Sequence, residues 1–114
     1  MKFLVLMAEA DHVDRWAASS DAEQQAVFDC FTAFSEAVRE RGSLLQGEAL
    51  ADPAGSRTLT AGDVHAVRDG PYAETVEQVG GFYLVDLPDL ETAVDVARLL
   101  PPAYTVEVRP VVST

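Results

Sequence analysis

The sequence predicts an α+β fold: a ferredoxin-like β-α-β β-α-β sandwich with an inserted β-hairpin, its four-stranded antiparallel sheet carrying both helices on one face. Three observations lead there. Two helical patterns each sit between strand-like runs, so the order strand, helix, strand occurs twice. Two short β-type runs flanking a glycine-containing turn fall between those halves. The chain has 114 residues, 48% of them hydrophobic, enough for one core and one domain spanning 1–114.

Each element has a local reason. Residues 2–7 are apolar on both sides of the alternation, as in a strand covered on both faces. Residues 8–19 read as a polar, mostly acidic connection that contains His12 and Trp16. Ser20 and Glu23 form a capping-box signature. Behind it Val27, Phe31, Phe34 and Val38 recur at helical spacing, and Phe28 widens the stripe. Arg39 and Arg41 suit the negative end of the helix dipole and Gly42 stops it, which gives a helix over 21–41.

A second strand follows over 44–50, broken by Asp52, Pro53, Ala54, Gly55 and Ser56. Residues 57–60 and 64–67 flank the turn 61–63 of the hairpin, and Asp69, Gly70 and Pro71 end it. Residues 74–79 fit a loop or a single helical turn. Residues 80–87 read as a strand, with Gly80 and Gly81 suited to a bulge or a close backbone approach. Asp89 caps a second helix whose apolar stripe is Leu90, Ala93, Val94 and Ala97. Pro101 and Pro102 end that helix, and residues 104–112 form the last strand.

A net charge of −11 leaves no basic surplus for phosphates, which excludes nucleic acid and anionic membranes as partners. The apolar start spans five residues, Phe3 to Met7, and Glu9, Asp11 and Asp14 follow closely, unlike a signal peptide. No run approaches the roughly 20 apolar residues of a membrane span. The one cysteine, Cys30, allows no intrachain disulfide and reads as a small filler in the helical pattern. A soluble cytoplasmic protein is expected.

Two helices cover one sheet face only. The first strand sets Phe3, Val5 and Met7 against Leu4 and Leu6, and the strand over 80–87 sets Phe82 and Leu84 against Tyr83, Val85 and Leu87, so the helix-free face is partly apolar whichever set it takes. An apolar face on so small a chain is best covered by a second copy, so a homodimer joined through the helix-free sheet face is expected. A folded chain of this length has a radius of gyration of roughly 13 Å, so a sizeable ligand cleft would also draw on a partner.

The segment 69–85, which opens Asp69, Gly70, Pro71, Tyr72 and ends Phe82, Tyr83, Leu84, Val85, resembles the DGPF group of the YCII-related family, with Tyr72 in place of the usual Phe. Segments 2–7, 47–50, 67–70 and 106–110 resemble it too. The resemblance implies a dimeric α/β barrel. It implies no single activity. Many members are encoded near extracytoplasmic-function sigma factors, and wider relatives include a dehydrochlorinase of chlorinated aromatics, muconolactone isomerases and monooxygenases that need no cofactor. The YCII branch is associated with a His and Asp pair, and neither His12 nor His65 lies in a matching motif.

Several residues are candidates for chemistry. Glu48 falls in a small, apolar strand, where a carboxylate needs a partner such as Arg109 or becomes a general base. Asp69 and Glu74 lie in the family motif, Asp69 also suiting turn chemistry and Glu74 a pocket wall. Glu77 reads as solvated surface. His12, just beyond the first strand, suits an acid-base role. Tyr72, Tyr83 and Arg109 are candidates to bind a substrate, each tyrosine by donating a hydrogen bond. His65 in the hairpin reads as exposed. No metal motif and no phosphate loop is present, so neither a metal nor another cofactor is expected. Two functions follow. One is a cofactor-independent isomerase, lyase or hydrolase acting on a small molecule by carboxylate acid-base chemistry. The other is a non-catalytic ligand-binding or accessory module linked to transcription regulation, its acidic surface meeting a basic protein.

Overall fold

The computed structural model of the chain describes residues 1–113. Strand β1 (Lys2–Ala10) leads through Asp11 into helix α1 (His12–Ala18), and helix α2 (Asp21–Arg41) follows. Next come β2 (Ser43–Ala49), a 3₁₀ turn (Pro53–Gly55), and the short strands β3 (Arg57–Leu59) and β4 (Val67–Asp69). The chain closes with β5 (Glu77–Asp86), α3 (Leu90–Ala97) and β6 (Thr105–Pro110). The main sheet has the order β2-β5-β1-β6 with every neighbouring pair antiparallel, and β3 and β4 pair separately as the inserted hairpin. This is the ferredoxin-like α+β arrangement. Within one chain the sheet is open and does not close into a barrel.

The predicted bounds of α2 hold because its caps are complete. The Ser20 hydroxyl accepts from the Glu23 backbone N–H, Glu23 accepts from the Ser20 backbone N–H, and the Gly42 N–H satisfies the Val38 carbonyl. The core lies between sheet and helices. Phe3, Val5 and Val85 from the sheet meet Phe34 and Val38 of α2 and Ala93, Val96 and Ala97 of α3.

The structure corrects several expectations. Residues 8–19 are not a plain connection: β1 continues to Ala10 and α1 follows, with Asp11 in the left-handed conformation at φ 54° making the turn. The stripe of α3 is rotated, with Val96 buried while Leu90 and Val94 face outward, because the helix rests on β6 and β1 through its Ala93–Val96–Ala97 side. Phe28 stands half exposed outside the α2 core stripe. β5 begins at Glu77 rather than at Gly80, since it pairs with β1 as far as Ala10. The second hairpin arm is displaced to Val67–Asp69 by the register that sets Arg57 opposite Asp69. Gly80 and Gly81 behave as read: the β1–β5 register shifts beside Met7, passing over Gly80, and a Cβ on Gly81 would press on the Glu48 carbonyl at 3.1 Å.

Side chains alternate cleanly. Phe3, Val5 and Met7 of β1 share the helix side with Tyr83 and Val85 of β5. Leu4 pairs with Leu84 and Leu6 with Phe82 on the opposite side, flanked by Gln46 and Glu48 on one edge and Glu107 and Arg109 on the other. No helix among the described residues is long and apolar enough to cross a membrane.

Candidate functional site

The β1–α1 junction builds the site. Glu9 stands near the end of β1 on the helix side, and the sharp turn at Asp11 folds α1 back so that His12 and Arg15 both reach it. Nδ1 of His12 lies 2.7 Å from Oε2 of Glu9, and Nη1 of Arg15 donates to Oε1 at 3.2 Å. The Glu9 side chain is only 10% exposed, so both of its oxygens are committed to these partners with little help from water. An ionised carboxylate only accepts hydrogen bonds. Nδ1 of His12 is therefore the donor, and in the neutral tautomer this leaves the lone pair on Nε2. The ring also lies over Gly80, where a Cβ would come to 3.5 Å from Cδ2.

Three cavities meet at this pair. The best formed, about 490 Å³, lies between the sheet, α1 and α2 and falls in the size range of ligand pockets. Neighbouring cavities of about 290 and 530 Å³ also have Glu9 and His12 on their walls. In the first, aromatic rings form an unbroken series. Phe28 stacks edge-on against Trp16 at 5.6 Å between centroids, and Trp16 lies 6.4 Å from His12. Tyr104 meets His12 edge-on at 5.7 Å and Phe31 at 6.2 Å, and Phe31 meets Tyr83 at 6.4 Å. Tyr83 packs on Phe34 at 4.7 Å. It can lie across β2 only because position 47 is glycine: a Cβ there would sit 2.5 Å from Cδ1 of Tyr83. Burial pushes the hydroxyl pKa of Tyr83 up, against the lowering by Ser35 and Arg39. Burial raises that of Tyr104 too, and the negative charge of Glu9 adds to it.

The sequence candidates divide. His12 and Tyr83 line the main cavity. Glu48 borders it but is exposed on β2, so burial forces no partner on it. Arg109 does not meet Glu48 within the chain. It lies on β6, at the far edge of the sheet, and its Nε donates to Glu107. Asp69, Tyr72 and Glu74 belong to the hairpin segment and face water. Asp69 pairs with Arg57 across the hairpin and Glu74 with Arg68. Gly70, at φ 91°, makes the bend that ends β4. Glu77 opens β5 and accepts from Thr105. His65 is exposed and bonds the Thr60 carbonyl. Cys30, half-buried, shares the 530 Å³ cavity with His12.

Sequence reasoning missed Glu9, Arg15, Trp16, Phe31 and Tyr104 as site residues. Glu9 and His12 stand three apart, a spacing that carries a signal only once the strand is known to turn directly into a helix.

These features make the chain a two-layer ferredoxin-like α+β protein with a ligand-sized cavity between its layers. It belongs to the YCII-related domain family, whose model matches residues 1–114. It is 38% identical over 100 residues to an uncharacterized protein of Rhizobium meliloti (strain 1021), a match covering 82% of this chain and 80% of the relative.

Proposed function

We propose that the protein is a small-molecule enzyme of the isomerase, lyase or hydrolase type that moves protons with its own side chains. In this reading His12 is the acid-base group, Glu9 orients it, and Tyr104 and Tyr83 supply hydrogen bonds. The observation that carries it is the shielded Glu9 carboxylate, 10% exposed, clasping His12 on one oxygen and Arg15 on the other. Glu9 fixes the tautomer and the orientation of the ring. Nε2 then takes a proton from a substrate C–H or O–H in the cavity, and Glu9 stands beside the imidazolium that forms. The same nitrogen returns the proton to a neighbouring substrate atom. The base thus moves from the carboxylates of the sequence reading to a histidine, because Asp69 and Glu74 face open water.

The test is a thermal-shift screen against small lactones, catechol derivatives and enolisable acids, followed by NMR of each hit in D₂O with the protein. Hydrogen exchange or turnover of a hit, lost in His12→Asn, is expected. Hits that bind without exchange or turnover would leave the ligand-binding module as the reading.

We also propose that the working form is a homodimer joined through the helix-free sheet face, the two sheets facing each other as in a dimeric α/β barrel. Support comes from shape and chemistry. Leu4, Leu6, Phe82 and Leu84 stand together on that face. The chain is a slab only 18 Å thick with a radius of gyration of 15.8 Å, whereas a self-sufficient fold of its length has about 13 Å. Light scattering on a sizing column is expected to give the dimer mass, and Leu6→Glu the monomer mass. A wild-type monomer at micromolar concentration refutes it.

A further inference from the structure

We infer that the inserted hairpin is an arm that docks on a second copy of this chain. This rests on the homodimer reading and gives that dimer a contact outside the sheet face.

The arm has no core of its own. β3 and β4 pair only with each other, apart from the main sheet, and no residue between 57 and 76 is buried. A lone two-stranded hairpin is marginal in water. Its two faces differ. Thr58 and Arg68 stand opposite each other on one face, and both serve the loop that follows: the Thr58 hydroxyl donates to the Gly70 carbonyl, and Nη2 of Arg68 donates to the Tyr72 carbonyl. Leu59 and Val67 stand opposite each other on the second face and look out to water. With Val64, Tyr72 and Val76 they put five large apolar side chains, 58–86% exposed, between residues 59 and 76. Single exposed apolar residues are ordinary, but such a group on a coreless segment marks a contact surface.

Area, charge and position select a second copy as the occupant. The helix-free sheet face measures roughly 19 by 20 Å in plan, from a strand spacing of about 4.8 Å and a rise of about 3.3 Å per residue along the β1–β6 register. A specific interface buries about 800 Å² on each partner. The face alone falls short of that, and the arm supplies the rest. Residues 57–76 set Arg57 and Arg68 against Asp63, Asp69 and Glu74, a net −1 in a chain of −11. Two copies at −11 repel each other over most of their surfaces, and this near-neutral apolar stretch meets the least repulsion. The arm also lies in the connection between β2 and β5, the strand that brings Phe82 and Leu84 to the helix-free face. The pKa of Arg109, on that same face, is raised by Glu107 and to a smaller degree by Tyr72, so the loop leaving the arm passes near the face. The arm thus stands at the rim of the sheet-face contact, and in a two-fold pair each arm meets the other copy.

The experiment is sedimentation equilibrium of the full chain. The double variant Leu59→Asp with Val67→Asp is expected to weaken dimerisation at least about tenfold while keeping the wild-type circular dichroism. Leu90→Asp, at an exposed apolar position on α3, is expected to leave dimerisation within about twofold. Hydrogen exchange on the wild type gives a second reading: the amides of residues 57–69 are expected to slow as concentration rises through the dimer range. An arm variant that dimerises as tightly as the wild type, or arm amides indifferent to concentration, overturns the inference and leaves the sheet-face dimer standing. If Leu6→Glu still dimerises and the arm variant does not, the sheet-face reading fails and this inference stands. A wild-type monomer at micromolar concentration overturns both.

Discussion

Two regions of the molecule hold the same kinds of groups in opposite settings. At the β1–α1 junction Glu9 lies 2.7 Å from His12 and 3.2 Å from Arg15, with its side chain 10% exposed. In the hairpin segment Asp69 and Glu74 lie 3.7 and 3.6 Å from Arg57 and Arg68, with 92% and 86% of their side chains exposed. Both regions hold carboxylates paired to bases. Only the first removes water, fixes the partners on both oxygens and opens onto a cavity. A familiar motif drew attention to the second region, and the shielding of Glu9 is why the proposed function rests on the first. Ion pairs in open solvent contribute roughly 0–1 kcal/mol and leave the groups solvated. A shielded pair sets geometry.

The largest test of this contrast is functional. His12→Asn is expected to lower turnover or hydrogen exchange of any substrate found by about 10²–10⁴-fold. Asp69→Asn and Glu74→Gln are expected to leave it within about twofold, as exposed substitutions do. Equal losses in the two regions would erase the distinction. Next comes a matched pair of glycine substitutions. Gly47→Ala drives a Cβ to 2.5 Å from the Tyr83 ring, whereas nothing lies within 4 Å of a Cβ on Gly55 beside the hairpin. The first is expected to cost about 1–3 kcal/mol in urea unfolding. The second should be neutral or slightly stabilising.

Smaller effects refine the picture. Ser20→Ala removes the α2 cap and should cost about 1 kcal/mol by the same measurement. The bonds from Ser20 hold the Glu23 carboxyl below its ordinary value, and those from Thr92 do the same for Asp89. The stability from these caps is present above the ordinary carboxyl range and is lost as pH falls through the lowered native values. A urea midpoint that falls in acid, less steeply in Ser20→Ala, is expected. At the other end of the scale, Tyr83 and Tyr104 hold their protons longer when folded. Their share of stability is therefore intact below the ordinary tyrosine value of about 10 and declines as pH rises through the raised native ones. The double variant Tyr83→Phe with Tyr104→Phe should flatten that decline. Smallest of all, Arg57→Ala should change stability by less than about 0.5 kcal/mol, since its partner Asp69 stands in water.

The legible parts of the fold were those with local chemistry. The capping box and Gly42 placed α2 to the residue, and the double alternation of β1 and β5 revealed two apolar sheet faces. The seven-residue α1 left no readable periodicity, being under two turns long with its start at a left-handed Asp11 rather than at a side-chain cap. The outward turn of Leu90 and Val94 was set by tertiary packing, which a helical wheel does not contain. Of the sequence candidates, His12, Glu48 and Tyr83 fall at the main cavity. Glu9 looked like the start of a loop, and Tyr104 reaches His12, and Phe31 reaches Tyr104, only after α2 and β6 have docked. Convergence of distant residues on one cavity leaves no mark in local sequence.

The clasp on Glu9 also governs motion. A helix of seven residues is too short to hold itself together in water, so α1 persists through its attachments: the two Glu9 contacts, the Trp16 stacking and the bond from Gln24 to the Trp16 carbonyl. Its amides should exchange with solvent through local opening, far sooner than those of α2. Because α1 walls the cavity, each such opening is also a moment of entry or escape for a ligand. Residence time and helix protection therefore measure one event, and a change that loosens Glu9 shortens both together.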